Sequence, residues 1–115
     1  MKVINLNNIE AEPTSHFVGQ KYVFIREAEN FSKLTQAALG IITKEDIVLP
    51  HLHDTMDEYY YFLEGDAVFF LGKERLTIEP NTFVYVPSGV IHFLTTESIT
   101  KFFYFGIAVN NGKIF

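Results

Sequence analysis

Three histidines and one glutamate lie in two short segments of this sequence, and their residue types are those of a metal site. His51 and His53 are two residues apart, so on an extended strand both imidazoles point to one face. Glu58 follows a short stretch that can form a turn, so it can open the next antiparallel strand beside them. His92 follows the turn-forming sequence Pro-Ser-Gly and could supply a fourth ligand.

The donor set indicates which metals would bind. Three imidazoles and one carboxylate suit one divalent transition metal, which we expect to be iron, manganese, nickel, cobalt, copper or zinc. Magnesium and calcium prefer shells of oxygen. The chain has no Cys, which excludes disulfides and cysteine-based zinc or iron–sulfur sites. The alternative is that these histidines are ordinary polar residues of a solvated loop.

The elements that must position these residues are predicted to be short β-strands. Turn residues recur along the chain, and the runs between them are rich in Val, Ile, Phe, Tyr and Thr, which is typical of an all-β sandwich or barrel. One helical stretch is expected, over 27–34. The predicted strands are 22–26, 37–43, 58–63, 67–71, 75–78, 82–86, 91–95 and 101–109.

The spacing of ligands and turns resembles the two sequence motifs of the cupin family. Motif one, residues 51–65, reads His-x-His, four residues, Glu, six residues, Gly. Motif two, residues 81–96, contains Pro-x-Gly, two residues, His. Three positions differ from the family pattern: Glu45 and Asn81 stand at the leading glycines and Thr96 at the trailing Asn. Because Asn tolerates positive φ, Asn81 can still turn the chain.

The resemblance implies a fold and a ligand set. It implies an all-β jelly-roll barrel, also called a double-stranded β-helix, formed by residues 1–115 as a single cupin domain. It further implies that His51, His53, Glu58 and His92 hold the metal near one mouth of the barrel.

Two further residues are candidates for substrate contact or catalysis. Tyr60 has the same strand parity as Glu58 and could offer a hydroxyl in the barrel interior, although core filling is the favoured role. Arg26 ends an early strand, and inside the mouth it would bind a carboxylate or phosphate. The alternative for Arg26 is a surface position. His16 belongs to neither motif and is expected to be a surface or packing residue.

Three functions fit such a site. The favoured hypothesis is a metal-dependent enzyme of isomerase or lyase type, acting on a small sugar-like or carboxylate substrate. The first alternative is an iron-dependent dioxygenase, and the second is a non-catalytic module that binds a small ligand.

The composition also bears on partners and location. The strands at 58–63 and 101–109 do not alternate apolar with polar residues, so we expect both faces to be covered, most simply in a homodimer. The alternatives are a second sheet or the N-terminal segment of the same chain. The net charge of -5 argues against nucleic acid. No apolar run is long enough for a signal peptide or membrane span, so we expect a cytoplasmic protein without a membrane partner.

Overall fold

The computed structural model describes residues 2–14 and 18–109, and it confirms the predicted all-β jelly-roll. Within these residues nine strands are present: β1 Glu12–Pro13, β2 Gln20–Arg26, β3 Leu34–Ile42, β4 Met56–Glu64, β5 Ala67–Leu71, β6 Glu74–Ile78, β7 Thr82–Val86, β8 His92–Thr96 and β9 Thr100–Ala108. They form a six-stranded sheet in the order β1-β2-β3-β9-β4-β7 and a three-stranded sheet in the order β6-β5-β8. All pairings are antiparallel.

The eight predicted strands are all present, with bounds that shift by up to three residues. The predicted helix over 27–34 is wrong, because only Glu27–Glu29 forms a 3-10 turn. The Asn30 side-chain amide donates to the backbone oxygens of Arg26 and Glu27, and such local bonds compete with helix propagation. In the described part of the chain, no helix is long and apolar enough to cross a membrane.

The core lies between the two sheets and is built largely from aromatic rings. On β4, every second residue points inward, and Tyr60 and Phe62 are both buried. Phe69 on β5 meets both rings edge-on from the opposite sheet, at centroid distances of 5.3 and 6.2 Å. Edge-to-face packing of this kind adds to the burial of apolar area, so these rings fix the spacing of the sheets.

The outer face of the six-stranded sheet is apolar but only partly covered. The N-terminal segment lies over one half, where Leu6 and Ile9 line a groove with residues of β2 and β3. The other half, on β4 and β7, exposes large side chains: Tyr61 is 37% exposed, Leu63 45%, Phe83 57% and Tyr85 44%. The expectation that β4 is covered on both faces is therefore not met within the single chain.

The turns that flank the motifs use the residues that their backbone requires. Gly65 has φ of 102°, and a Cβ there would lie 2.3 Å from the Thr100 hydroxyl. Asn81 has φ of 71°, so it does turn the chain in place of glycine. The Thr96 hydroxyl lies 2.6 Å from the Asp66 carbonyl oxygen and 2.6 Å from the Thr100 hydroxyl, so it ties the turn after β4 to the start of β9.

Replacement of Gly65 tests this close packing. We expect Gly65→Ala to lower the free energy of unfolding by about 3 kcal/mol, because the new methyl group adds a steric clash to an unfavourable φ. Gly72→Ala is the matched control, since Gly72 also has positive φ, 59°, but the nearest atom to its added Cβ would lie at 3.8 Å. It should lose only about 1 kcal/mol. Urea denaturation measures both, and equal losses would contradict the packing argument.

Candidate metal centre

A pair of backbone hydrogen bonds brings two of the predicted ligands together. The His51 N–H donates to the His92 carbonyl oxygen at 3.0 Å, and the His92 N–H donates back to that of His51 at 2.8 Å. The Gly89 N–H donates to the His53 carbonyl oxygen at 2.7 Å. Residues 51–53 do not form a regular strand, and His51 makes only this isolated bridge. The bridge nonetheless joins the two motifs at their histidines.

The Glu58 carboxylate lies at the centre of the cluster. Its Oε1 atom is 3.1 Å from His92 Nε2 and 3.4 Å from His53 Nε2. The Tyr60 hydroxyl donates to the same oxygen at 3.1 Å. Glu58 is 5% exposed and His92 only 1%, so this carboxylate is balanced by its neighbours rather than by bulk water.

The ring orientation of two histidines is fixed by backbone carbonyls. His51 Nδ1 lies 2.8 Å from the Leu49 oxygen, and His92 Nδ1 lies 3.0 Å from the Val90 oxygen. Since a carbonyl oxygen only accepts, both Nδ1 atoms carry the proton and donate. A histidine held through Nδ1 in this way can present Nε2 to a metal, which is the arrangement found in metal-ligating histidines.

The electrostatics of the cluster keep the carboxylate charged and the phenol neutral. Burial by itself would raise the pKa of Glu58, but the hydrogen bond from His92 and the nearby His53 outweigh it, and the net shift is downward. Burial and the adjacent Glu58 carboxylate raise the pKa of Tyr60 well above its ordinary value. At neutral pH Glu58 is therefore an anionic acceptor and Tyr60 a neutral donor.

Asp57 faces away from the cluster and organises the second motif. Its carboxylate accepts hydrogen bonds from the Ser88 N–H at 2.8 Å and the Tyr85 hydroxyl at 3.1 Å. Ser88 belongs to the Pro-x-Gly turn that precedes His92, so Asp57 helps to aim that histidine. A slip that exchanged Asp57 for Glu58 in the cluster would break both bonds.

A cavity of about 110 Å³ opens beside the cluster inside the barrel. Three of the four predicted ligands contribute to its wall, together with apolar and a few polar side chains. The lining residues are Thr14, Val18, Lys21, Gln36, Ile42, Val48, His51, His53, Met56, Glu58, Tyr60, Leu94, Phe102 and Tyr104. Tyr60 thus lies in the barrel interior, as its strand parity predicted, between the core and the cluster.

Arg26 is absent from the lining of this cavity, and its side chain is 55% exposed, so it has the surface position that was the alternative to a place inside the mouth. Its guanidinium does bind a carboxylate, but that of Glu12 on β1, with nitrogen–oxygen distances of 3.1 and 2.6 Å. The cation in the cavity wall is instead Lys21, which the sequence analysis missed. A signal was available, since Lys21 precedes the inward-facing Val23 by two residues. His16 lies outside the described residues.

The geometry of the cluster fits a divalent transition metal. One ligand atom from each of the four residues lies within 4.8 Å of the other three. Bonds of about 2.1 Å to one ion separate neighbouring ligand atoms by about 3.0–3.4 Å. The Glu58–His92 and Glu58–His53 distances of 3.1 and 3.4 Å match that separation. His51, His53, Glu58 and His92 could therefore hold one ion together.

Comparison with known proteins agrees with this fold. A family model described as Cupin domain matches residues 40–105, which include both motifs, and the chain therefore belongs to the cupin family. An uncharacterised protein of Streptomyces coelicolor is 30% identical over 92 residues, which are 80% of this chain and 81% of that protein.

Solved structures share the same fold. A predicted oxalate decarboxylase of Thermotoga maritima superposes with a TM-score of 0.81 at 20% identity, covering 94% of this chain and all of that one. The polyketide cyclase RemF of Streptomyces resistomycificus superposes with a TM-score of 0.76 at 18% identity, covering 96% of this chain and 80% of that one.

The Tyr60 hydroxyl is expected to support metal binding through Glu58. Tyr60→Phe removes the donor to Oε1, and loss of a hydrogen bond to a ligand typically weakens metal affinity about tenfold or more. Competition with a chromogenic chelator for Zn²⁺ measures the change. Tyr59→Phe is the control, because Tyr59 is the neighbouring residue on β4 and points to the opposite face. An unchanged zinc affinity in Tyr60→Phe would refute this role.

Proposed function

We propose that this protein is a metal-dependent enzyme of isomerase or lyase type, acting on a small sugar-like or carboxylate substrate. The observation that carries the proposal is the convergence of three imidazoles and one carboxylate at the wall of an internal cavity. His51, His53 and Glu58 face that cavity, so a metal held there would be accessible to a ligand.

The cavity supplies what such chemistry needs. A divalent ion at the cluster would polarise a carbonyl or hydroxyl oxygen as a Lewis acid. Apolar walls formed by Ile42, Val48 and Leu94 keep bulk water from the reacting atoms and strengthen the electrostatic interactions. Burial raises the pKa of Tyr104, so this lining residue stays a neutral hydroxyl that can donate to a substrate oxygen.

The metal content of the protein tests the proposed site directly. Protein stripped with a chelator and reloaded should bind about one divalent transition metal per chain, measured by elemental analysis after gel filtration. His51→Ala and His92→Ala should each lose that metal and keep the β-sheet circular dichroism, because the hydrophobic core cluster is formed by other residues. Glu74→Ala is the control, since Glu74 is an exposed carboxylate on β6 and belongs to neither motif. Full metal occupancy in both cluster variants would contradict the assignment.

The identity of the bound metal separates the candidate functions. Zinc, manganese or nickel would favour Lewis-acid chemistry and direct screens to isomerase and lyase reactions on sugars and small acids. Iron together with substrate-dependent consumption of dioxygen would favour the dioxygenase alternative, which the apolar walls would also suit. A ligand retained tightly without turnover would favour the non-catalytic binding module.

We propose that the partner is a small molecule, in keeping with the cavity of about 110 Å³. At about 10–15 Å³ for each water-sized site, this volume holds a molecule of roughly ten non-hydrogen atoms or fewer. The net charge of -5 disfavours a nucleic-acid partner. A location in the cytoplasm, away from the membrane, stays our expectation.

We also propose that the exposed aromatic half of the six-stranded sheet is covered by a second copy of the chain. Tyr61, Leu63, Phe83 and Tyr85 are its exposed side chains, and none of them carries a charge at neutral pH. The neighbouring Asp57 carboxylate is hydrogen-bonded within the chain, to the Tyr85 hydroxyl and the Ser88 N–H. A face that packs on itself about a two-fold axis gives a closed dimer.

A charge placed on this surface should break the dimer. We expect the wild-type protein to run as a dimer in multi-angle light scattering, and Phe83→Glu to run as a monomer, because the buried interface would then contain two unpaired carboxylates. Phe31→Glu is the control, since Phe31 is fully exposed and lies outside the sheet. A monomeric wild-type protein at micromolar concentration would contradict the proposal.

A further inference from the structure

The wall of the cavity across the sheet from the metal cluster carries a cation. Lys21 on β2 and Gln36 on β3 both line the cavity, and Lys21 Nζ donates to Gln36 Oε1 at 3.0 Å. Gln36 is opposite Gly106 on β9, and Gly106 is opposite Glu58 on β4. Since neighbouring strands are about 4.8 Å apart, the backbones at Gln36 and Glu58 are about 10 Å apart. A small molecule can span that gap.

The charge of Lys21 is not neutralised by a carboxylate. Across residues 2–14 and 18–109, the ion pairs within 4.0 Å involve other cations, and Gln36 gives Lys21 only a neutral partner. Glu12 is opposite Lys21 in the β1–β2 register, but its two oxygens are occupied by Arg26. Glu12 therefore acts on Lys21 only through its charge and at longer range. The ammonium has no direct carboxylate partner among the described residues.

A second donor lies on the same wall. Tyr104 on β9 is opposite Ala38 on β3, one inward-facing position along from Gln36, and it also lines the cavity. Its ring stacks on Tyr60 with centroids 5.8 Å apart, which fixes its direction. No residue in the described part of the chain is hydrogen-bonded to its hydroxyl. The wall therefore offers an ammonium and a phenolic hydroxyl to one ligand.

We propose that Lys21 and Tyr104 form a carboxylate-binding subsite, positioned by Gln36, so that the substrate is a small acid. Its carboxylate would bind this wall while a separate carbonyl or hydroxyl oxygen, two or three carbons away, faces the metal cluster. This inference rests on the proposed function, because it needs a metal at His51, His53, Glu58 and His92. An ammonium on this wall of the cavity selects an anion over a neutral analogue, since the neutral analogue leaves the charge unpaired.

Three hydroxamates test the subsite by binding alone. Acetohydroxamic acid chelates the metal but is too short to reach the far wall. N-hydroxysuccinamic acid has the same chelating group and adds a distal carboxylate. In the third compound, the amide of N-hydroxysuccinamic acid, a neutral amide replaces that distal carboxylate. We expect zinc-loaded wild-type protein to bind the acid about tenfold to hundredfold more tightly than the amide in calorimetry, as for a hydrogen bond to a charged group. Lys21→Met should bring this ratio to within about twofold, without changing zinc content.

A control variant and the pattern of ligand binding distinguish failure of the carboxylate subsite from failure of the proposed function. Lys101→Met removes one positive charge outside the cavity and should keep the full preference for the acid. Equal affinity of the wild-type protein for acid and amide, with zinc and acetohydroxamic acid still bound, would overturn the subsite and leave the proposed function standing. Failure to bind zinc or acetohydroxamic acid would overturn both. Because the comparison of acid with amide uses the wild-type chain, it does not depend on whether Lys21→Met folds.

Discussion

The burial of one carboxylate determines how the rest of this structure is arranged. Glu58 is 5% exposed, and a charged group so far from water is tolerated only where polar partners replace its hydration. His92, His53 and the Tyr60 hydroxyl supply those partners around a single oxygen. The two histidines come from other parts of the chain, and Tyr60 is at the next inward position on β4. Loss of any of these partners would leave the buried carboxylate less well compensated.

That cluster also closes the barrel. Glu58 belongs to the six-stranded sheet and His92 opens a strand of the three-stranded sheet, so their contact joins the two sheets directly. The His92 ring continues into the core, where it stacks on Phe69 with centroids 6.1 Å apart. Because the ligand residues are shared between core and cavity, an ion that binds this cluster in the folded state would also stabilise the fold.

The sequence predicted which residues form the metal cluster better than it predicted which residues line the cavity. The grouping of His51, His53, Glu58 and His92 could be predicted because their spacing from one another and from the turn residues resembles the cupin motifs. Arg26 could not be placed, because a bulge between Val23 and Ile25 shifts its register and a two-residue strand supplies Glu12 as its partner. Neither feature has a distinctive residue pattern. The non-alternating β4 did predict the apolar outer face, but sequence alone does not show how much of it the N-terminal segment covers.

The metal cluster lies within the part of the chain that matches the family, whereas part of the cavity wall lies outside it. The matched family region, residues 40–105, contains all four predicted ligands, while Lys21 and Gln36 lie before it on β2 and β3. The ligands are held by the bridge between His51 and His92 and by the buried carboxylate, so they tolerate little change. The side chains of β2 and the first half of β3 contribute to the cavity wall without taking part in those bonds. Substitutions there can change the charge of the cavity while the metal centre stays intact, which is how one fold can serve different substrates.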